Sequence, residues 1–312
     1  MPINWKSKVL LFGLETTPGT DAAPTGATNA ILAKNISLSP MEGNDEARAL
    51  ELPYQGADPS IPTELHMKLS FTVELVGSGA AGTAPSCGPL LRACAMAETI
   101  DAGVSVTYNK VSDGHESASI YLWIGNTLYK MLYAKGDANL KIDTQKIPSI
   151  EFTFTGLWVK PAETAQATPD LAAQIANAPK LATTASTPTF SIDGTDLVLR
   201  SFTWNFANTV ATRFLIGGES ILITDQADAM SATVEALPLT SFDPFTLAQD
   251  QSRVALQLIH GTQAGKIITL DAPALQLQRL SGLENQQNIK EWPLKGMLLP
   301  DAGNDQVTLT FT

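Results

Sequence analysis

Ser70-Phe71-Thr72-Val73-Glu74-Leu75 recurs in the second half of the chain as Ser231-Ala232-Thr233-Val234-Glu235-Ala236, with four of six positions identical. Around the first copy, Leu69, Phe71, Val73 and Leu75 alternate with Lys68, Ser70, Thr72 and Glu74. Successive side chains of a strand point to opposite faces, so this pattern predicts an antiparallel strand with one buried and one wet face. Ile150, Phe152 and Phe154 alternate in the same way with Glu151, Thr153 and Thr155.

The flanks of the repeated hexapeptide recur in the same order. Before it, Ile36-Ser37-Leu38 answers Phe202-Thr203-Trp204. After it, both halves carry a helix start: Ser86 to Pro89 leads into Leu90-Leu91-Arg92-Ala93-Cys94, and Asp243 stands as N-cap with Pro244 at the first helical position. Next, Ser119 to Gly125 answers Ala255 to Gly261, Asn139 to Ile142 answers Ala274 to Leu277, and Phe152 to Leu157 answers Trp292 to Met297. Six elements in register predict a duplication. Between the halves, 160–188 is rich in Ala, Thr and Pro, with a short helical run at Asp170 to Ala176, and reads as a linker. The expected organisation is mainly β: two tandem β-sandwich or barrel-like domains, 1–160 and 188–312, each with one short helix, joined by the linker 161–187.

Pro40 to His66 breaks the alternation. Its first part, Met41 to Arg48, is charged, and Pro53, Pro59 and Pro62 punctuate the rest. A loop of that length in a compact domain is usually functional or disordered.

Composition narrows the chemistry. The chain has 312 residues, 44% hydrophobic but only 16% charged, and a formal net charge of -11. Its pI is near 4.7. Phosphate binding requires clustered Lys and Arg, and the sequence has no such cluster, which argues against tight binding to nucleic acid or anionic membrane. No stretch approaches the roughly 20 apolar residues of a membrane span. The apolar patch Val9 to Phe12 lacks the long apolar region and cleavage site of a secretory signal. Cys87 and Cys94, seven residues apart in an expected helix, are too far apart along it to form a disulfide and read as reduced core residues.

Catalytic motifs are weak. Gly77-Ser78-Gly79-Ala80-Ala81-Gly82 is formally G-x-G-x-x-G, but the preceding strand alternates instead of being apolar throughout, and no helix opens directly on the last glycine. A flexible loop is the better reading. His66, His115 and His260 are scattered without ligand spacing. The carboxylates Glu42, Asp45 and Glu46 lie in a polar stretch with no apolar burial to shift their pKa values. Trp123, Trp158, Trp204 and Trp292 fall in strand patterns and read as core or interface. No enzyme constellation, cofactor site or metal site emerges.

Glu15-Thr16-Thr17-Pro18-Gly19-Thr20-Asp21-Ala22-Ala23-Pro24-Thr25-Gly26-Ala27-Thr28-Asn29-Ala30-Ile31 resembles the N-terminal arm of tail tube proteins from long-tailed phages. The element order of the first half is similar too, and the second half joins the resemblance through the internal repeat. The resemblance implies a structural virion protein of a long, non-contractile (siphophage) tail, made in the host cytoplasm. It also implies stacked rings whose sheets join into a tube that carries DNA without binding it. Its expected partners are other copies of itself, the tape measure protein and tail-tip or terminator proteins, with no membrane insertion. Since six copies of the fold make a ring in that family, a duplicated chain implies a trimer with pseudo-six-fold symmetry. By the same analogy, inter-ring contact falls to Glu42, Asp45, Glu46 and Arg48 in the 40–66 segment, and to Arg213 and Glu219 in its counterpart, Ala207 to Asp228. Trp5 is the candidate anchor of the N-terminal arm on a neighbour. The competing readings are a carbohydrate- or receptor-binding β-sandwich and another tail component such as a terminator.

Overall fold

The computed structural model describes residues 3–312. The first half contains β1 (Lys8–Leu14), β2 (Lys34–Ala47), β3 (Ser60–Glu74), α1 (Gly88–Arg92), β4 (Met96–Asp101), β5 (Ser105–Lys110), β6 (Ala118–Ile124), β7 (Thr127–Asp143) and β8 (Ser149–Trp158). Antiparallel ladders place six of these strands in the order β2-β3-β8-β7-β6-β1, while β4 pairs with β5. The predicted alternation in β3 is realised: Leu69, Phe71 and Val73 are buried and the residues between them are not. Phe71 stacks on Phe154 at 5.8 Å, and Phe12 packs on Phe154 in a tilted arrangement at 5.2 Å.

In β6 all seven residues are buried. Ile120 and Leu122 enter the main core, whereas Tyr121 and Trp123 form a second cluster with Val9, Leu11, Ala30 and Leu128. Ala167 and Leu171 cover that outer cluster. The expected linker therefore has a packing role: it contains β9 (Ala162–Glu163), which pairs with β7, and α2 (Ala172–Ala176). Gln174 donates to the Ala30 carbonyl and accepts from Leu32 N–H, and the Asp170 N–H donates to the Gly26 carbonyl. Linker-like composition does not reveal this strap, because its contacts are mostly polar and backbone-mediated.

The second half contains β10 (Thr189–Ile192), β11 (Thr195–Asp196), β12 (Leu199–Asn205), β13 (Asn208–Leu215), β14 (Gly218–Gln226) and β15 (Ala229–Glu235). It continues with α3 (Pro244–Gln249), β16 (Arg253–His260), β17 (Ile268–Leu277), β18 (Glu284–Gln286), β19 (Ile289–Leu298) and β20 (Thr308–Phe311). Its strands run β12-β15-β19-β17-β16-β10, with β13 and β14 forming a separate two-stranded ladder. The expected cap on α3 is present: the Asp243 carboxylate accepts from the Phe245 and Thr246 N–H groups, with Pro244 at the start. In the first half, α1 is only five residues long and starts after Cys87 without a side-chain cap. It ends at Arg92, so Cys94 lies beyond the helix; both cysteines are buried and free.

Three joints bind the halves. β12 pairs with the end of β7, matching Ser201–Asn205 to Asp143–Asn139. β20 lies between β17 of the second half and β5 of the first. At the third joint, Gly79 N–H donates to the Gly265 carbonyl. A Cβ on Gly77 would lie 2.3 Å from that same carbonyl oxygen. The G-x-G-x-x-G stretch thus serves close backbone approach between halves. One apolar cluster runs through both halves, from Leu10 and Phe71 to Leu258 and Trp292.

Candidate assembly surfaces

The two sheets have the same strand order, yet their edges meet different surroundings. In the second half, edge strand β12 is closed on its outer side by β7, and Phe202 and Trp204 are 0% exposed. In the first half, the corresponding edge strand β2 pairs only with β3 among the described residues. Ile36 and Leu38, which stand where Phe202 and Trp204 stand, are half-buried. An open strand edge presents unpaired N–H and C=O groups and is a template for another strand.

The second half has a segment equivalent in register to the one that β12 covers. Register locates it, and it differs from the expected correspondence of Asn139–Ile142 with Ala274–Leu277. Leu275 lies opposite Val254 in the β16–β17 ladder, as Ala134 lies opposite Ala118 in the β6–β7 ladder. Ala274–Leu277 therefore occupies the ladder positions of 133–136, and the segment that β12 covers in the first half, 139–143, has its positional counterpart between β17 and β18. There the chain leaves the ladder after Gln278, whose N–H still donates to the Lys295 carbonyl, and Leu283 is 62% exposed. Similar apolar alternation in both segments hid the slip from the sequence, since a shift by an even number of residues keeps each side chain on its face.

The 40–66 segment is a correction to the sequence reading. Expected as a loop, it is largely strand: β2 runs to Ala47 and β3 begins at Ser60, leaving 48–59 as the tip. This part of the hairpin leaves the body of the sheet, so both faces are wet and no apolar alternation marks it. Bulges at Glu42 interrupt the ladder, and Pro62 is tolerated opposite Asp45 at an edge. Asp45 and Glu46 pair with Pro62 and Ile61, and the Arg48 N–H donates to the Pro59 carbonyl. Glu42 is held below the usual carboxylate range by the Lys68 ammonium, 2.9 Å away, with His66 at 3.6 Å.

Arg213 and Glu219 lie on the second hairpin, β13–β14, opposite Ser220 and Phe214. Its turn, Ile216-Gly217, is fully exposed. The rings of His66 and Phe214 lie 6.4 Å apart, so the second hairpin meets the first near its base. The six expected contact residues thus lie on two hairpins, four on the first and two on the second, that touch at His66 and Phe214. Sequence reading missed the exposed apolar side chains Met41, Leu50, Leu52, Tyr54 and Ile61 on the first hairpin. The signal was there, in apolar residues scattered through a polar segment, but without periodicity it carried no direction.

Trp5 is 68% exposed, with the Lys8 ammonium 4.1 Å from its ring centroid. The 15–31 stretch is folded onto its own sheet. The buried Glu15 carboxylate accepts from the Ser117 and Ser119 hydroxyls and from the Gly19 and Tyr133 N–H groups. Asp21 accepts from the Tyr121 hydroxyl at 2.5 Å.

The chemical alternatives find little support in the geometry. A cavity of about 470 Å³ between the halves is lined by Ile142, Gln145, Leu197, Arg200 and Glu291. Of its four charged residues, Arg200 and Glu291 pair with each other, Arg200 Nε lying 2.7 Å from Glu291 Oε1, while Asp196 and Glu235 add two further carboxylates. Burial pushes the Cys87 thiol up to about 12, which makes it a poor nucleophile. Among the described residues no cluster of His, Cys, Asp or Glu is arranged to hold a metal, and no helix is long and apolar enough to cross a membrane.

The family model described as phage tail tube protein matches residues 5–312. No curated protein matches the chain.

Proposed function

This chain belongs to the phage tail tube protein family, and on that premise we propose that three copies close a ring of pseudo-six-fold symmetry whose stacking builds a non-contractile tail tube. The tube role and the virion setting are those of the family. The trimer, the duplicated domain with halves 1–160 and 188–312 flanking 161–187, and the siphophage tail are our reading.

One observation carries it, the ladder between β7 and β12. This joint links the two halves edge to edge inside one chain, while β2 and the segment after β17 remain open at the two outer ends. Repeating the same joint between chains, with β2 of one copy against the segment after β17 of the next, covers both of these ends when the ring closes. The shared strand order of the halves supports duplication, and ring closure between copies of one chain is the ordinary result of such head-to-tail contacts.

In this reading the paired hairpins, with Glu42, Asp45, Glu46, Arg48, Arg213 and Glu219, contact the adjacent ring, and Trp5 contacts a neighbouring chain. A net charge of -11 suits an acidic lumen through which DNA passes by repulsion instead of binding. The tape measure protein occupies the lumen before DNA, tail-tip and terminator proteins bound the tube, and the chain is made in the host cytoplasm. Its work is assembly, without catalysis or cofactor.

Native mass spectrometry of purified rings, combined with electron-microscopic class averages down the axis, tests this. Three chains with six lobes are expected. A ring of six chains, or protein that stays monomeric at high concentration in the presence of a tail-tip initiator, overturns the trimer.

A further inference from the structure

The joint between the halves buries an unusual pair. Lys110, at the end of β5, and Asp228, just before β15, have side chains that are both 0% exposed, and Lys110 Nζ lies 3.1 Å from Asp228 Oδ1. The approach is off the hydrogen-bonding directions, so the buried Nζ has no hydrogen-bond partner. Aromatic rings enclose it: the Phe206 centroid lies 3.9 Å and the Trp204 centroid 5.7 Å from Nζ. The Asp228 carboxyl is held in place from both sides. Trp204 Nε1 donates to Oδ1 at 2.8 Å and Gln306 Nε2 donates to Oδ2 at 3.4 Å. A third carboxyl group, Asp137 on β7, lies within electrostatic reach of both and accepts from the Asn208 N–H at 2.9 Å.

An ammonium has three N–H donors, and burying them with one misaligned partner is costly. Two buried ions lose their hydration, and their mutual attraction repays that loss only with good geometry. Desolvation accordingly pulls the Lys110 amine down and pushes the Asp228 and Asp137 carboxyls up, toward uncharged forms.

We propose that Lys110 and Asp228 condense in the folded chain to an isopeptide bond, a covalent staple between the two halves. The neutral Nζ lone pair attacks Cγ of the protonated Asp228 carboxyl. A C–N bond forms, a C–O bond breaks, and the departing hydroxyl leaves with an Nζ proton as one water molecule. No oxidation state changes. Asp137 makes no ion-pair contact with Nζ and acts on the reacting pair through its electrostatic field, and Trp204 Nε1 donates to the oxygen on which negative charge develops. Holding the reactants at contact distance replaces a bimolecular encounter. Burial reverses the usual preference of an acid and an amine in water, where separate hydrated ions outcompete the amide. The product has one N–H in place of three and leaves the oxygen hydrogen-bonded to Trp204.

Intact-mass spectrometry of the full chain, followed by peptide mapping, tests the staple. The folded protein is expected to lie one water below its sequence mass, with a branched peptide containing Lys110 and Asp228. Lys110→Met and Asp228→Ala are expected at their full sequence masses. Asp137→Asn retains both reacting groups and is expected to slow the appearance of the deficit after refolding at least tenfold. It therefore separates chemistry from folding should either of the other variants fail to fold. Full sequence mass in the folded wild-type chain, meaning an ion pair only, overturns the proposal. So does a water deficit mapped to any other peptide.

Discussion

β12 and β2 occupy the same place in two sheets of the same strand order, and where they correspond they differ in what lies on their outer side. β12 is hydrogen-bonded to β7, and its Phe202 and Trp204 are sealed in the core. β2 has no outer neighbour among the described residues, and its Ile36 and Leu38 remain half-buried. The pattern of apolar residues is the same in both, so alternation predicts a strand and a face but says nothing about an edge. A ladder satisfies backbone groups whatever the side chains are, and the neighbour that completes it is a matter of topology.

That contrast is open to direct attack. The largest expected effect is on assembly: Ile36→Asp with Leu38→Asp places two charges in the open edge and is expected to abolish ring formation. The monomer should stay folded, with circular dichroism and electron microscopy reporting the two properties separately. Loss of the fold together with the rings would show that β2 acts as core instead of edge. Next, Trp204→Ala should destabilise the chain by about 3–5 kcal/mol, the usual range for removing a buried Trp. Leu38→Ala in the unassembled protein should cost well under half of that. Denaturant unfolding of the two variants side by side sharpens the comparison, and equal losses would erase it.

Smaller effects probe the seams. Gly77→Ala drives a Cβ to within 2.3 Å of the Gly265 carbonyl oxygen. It should cost about 1–3 kcal/mol, the range for overpacking, read as a lower thermal midpoint. Glu42 gives the smallest effect. Its folded pKa is depressed by Lys68, so its contribution is present above its ordinary value of 4.5 and is lost as the pH falls through the lower folded value. Glu42→Gln should therefore remove about 0.5 kcal/mol or less at neutral pH, as expected for a partly exposed ion pair, and nothing once the carboxylate of the parent chain is protonated. A pH series of melting curves for both chains measures this.

The hairpins extend the lesson. Alternation made β3 legible at Leu69, Phe71 and Val73, where one face meets the core. Ten residues earlier in the same strand, Ser60 to Pro62 carry no such mark, because both faces are wet and the hydrogen bonds that define the strand are sequence-blind. The charged residues Glu42, Asp45, Glu46 and Arg48 were legible as a group set apart from the core. Their position on a strand was not, nor was the contact of that hairpin with the one carrying Arg213 and Glu219 at His66 and Phe214.

Lys110 and Asp228 mark the limit of local reading. In the sequence each is a single charge near the end of a strand pattern, unremarked among many others. They meet because β20 joins β5 to β17 and β12 joins β7, which closes a space between two halves that no local pattern foresees. The sequence by itself determined the β character, the repeated order of elements and the helix cap at Asp243, because periodicity and capping are short-range consequences of side-chain chemistry. Only the tertiary structure decided which edges are closed, which stay open and which charges are buried together. Those depend on contacts between residues far apart in the chain, where backbone pairing and desolvation leave no local signature.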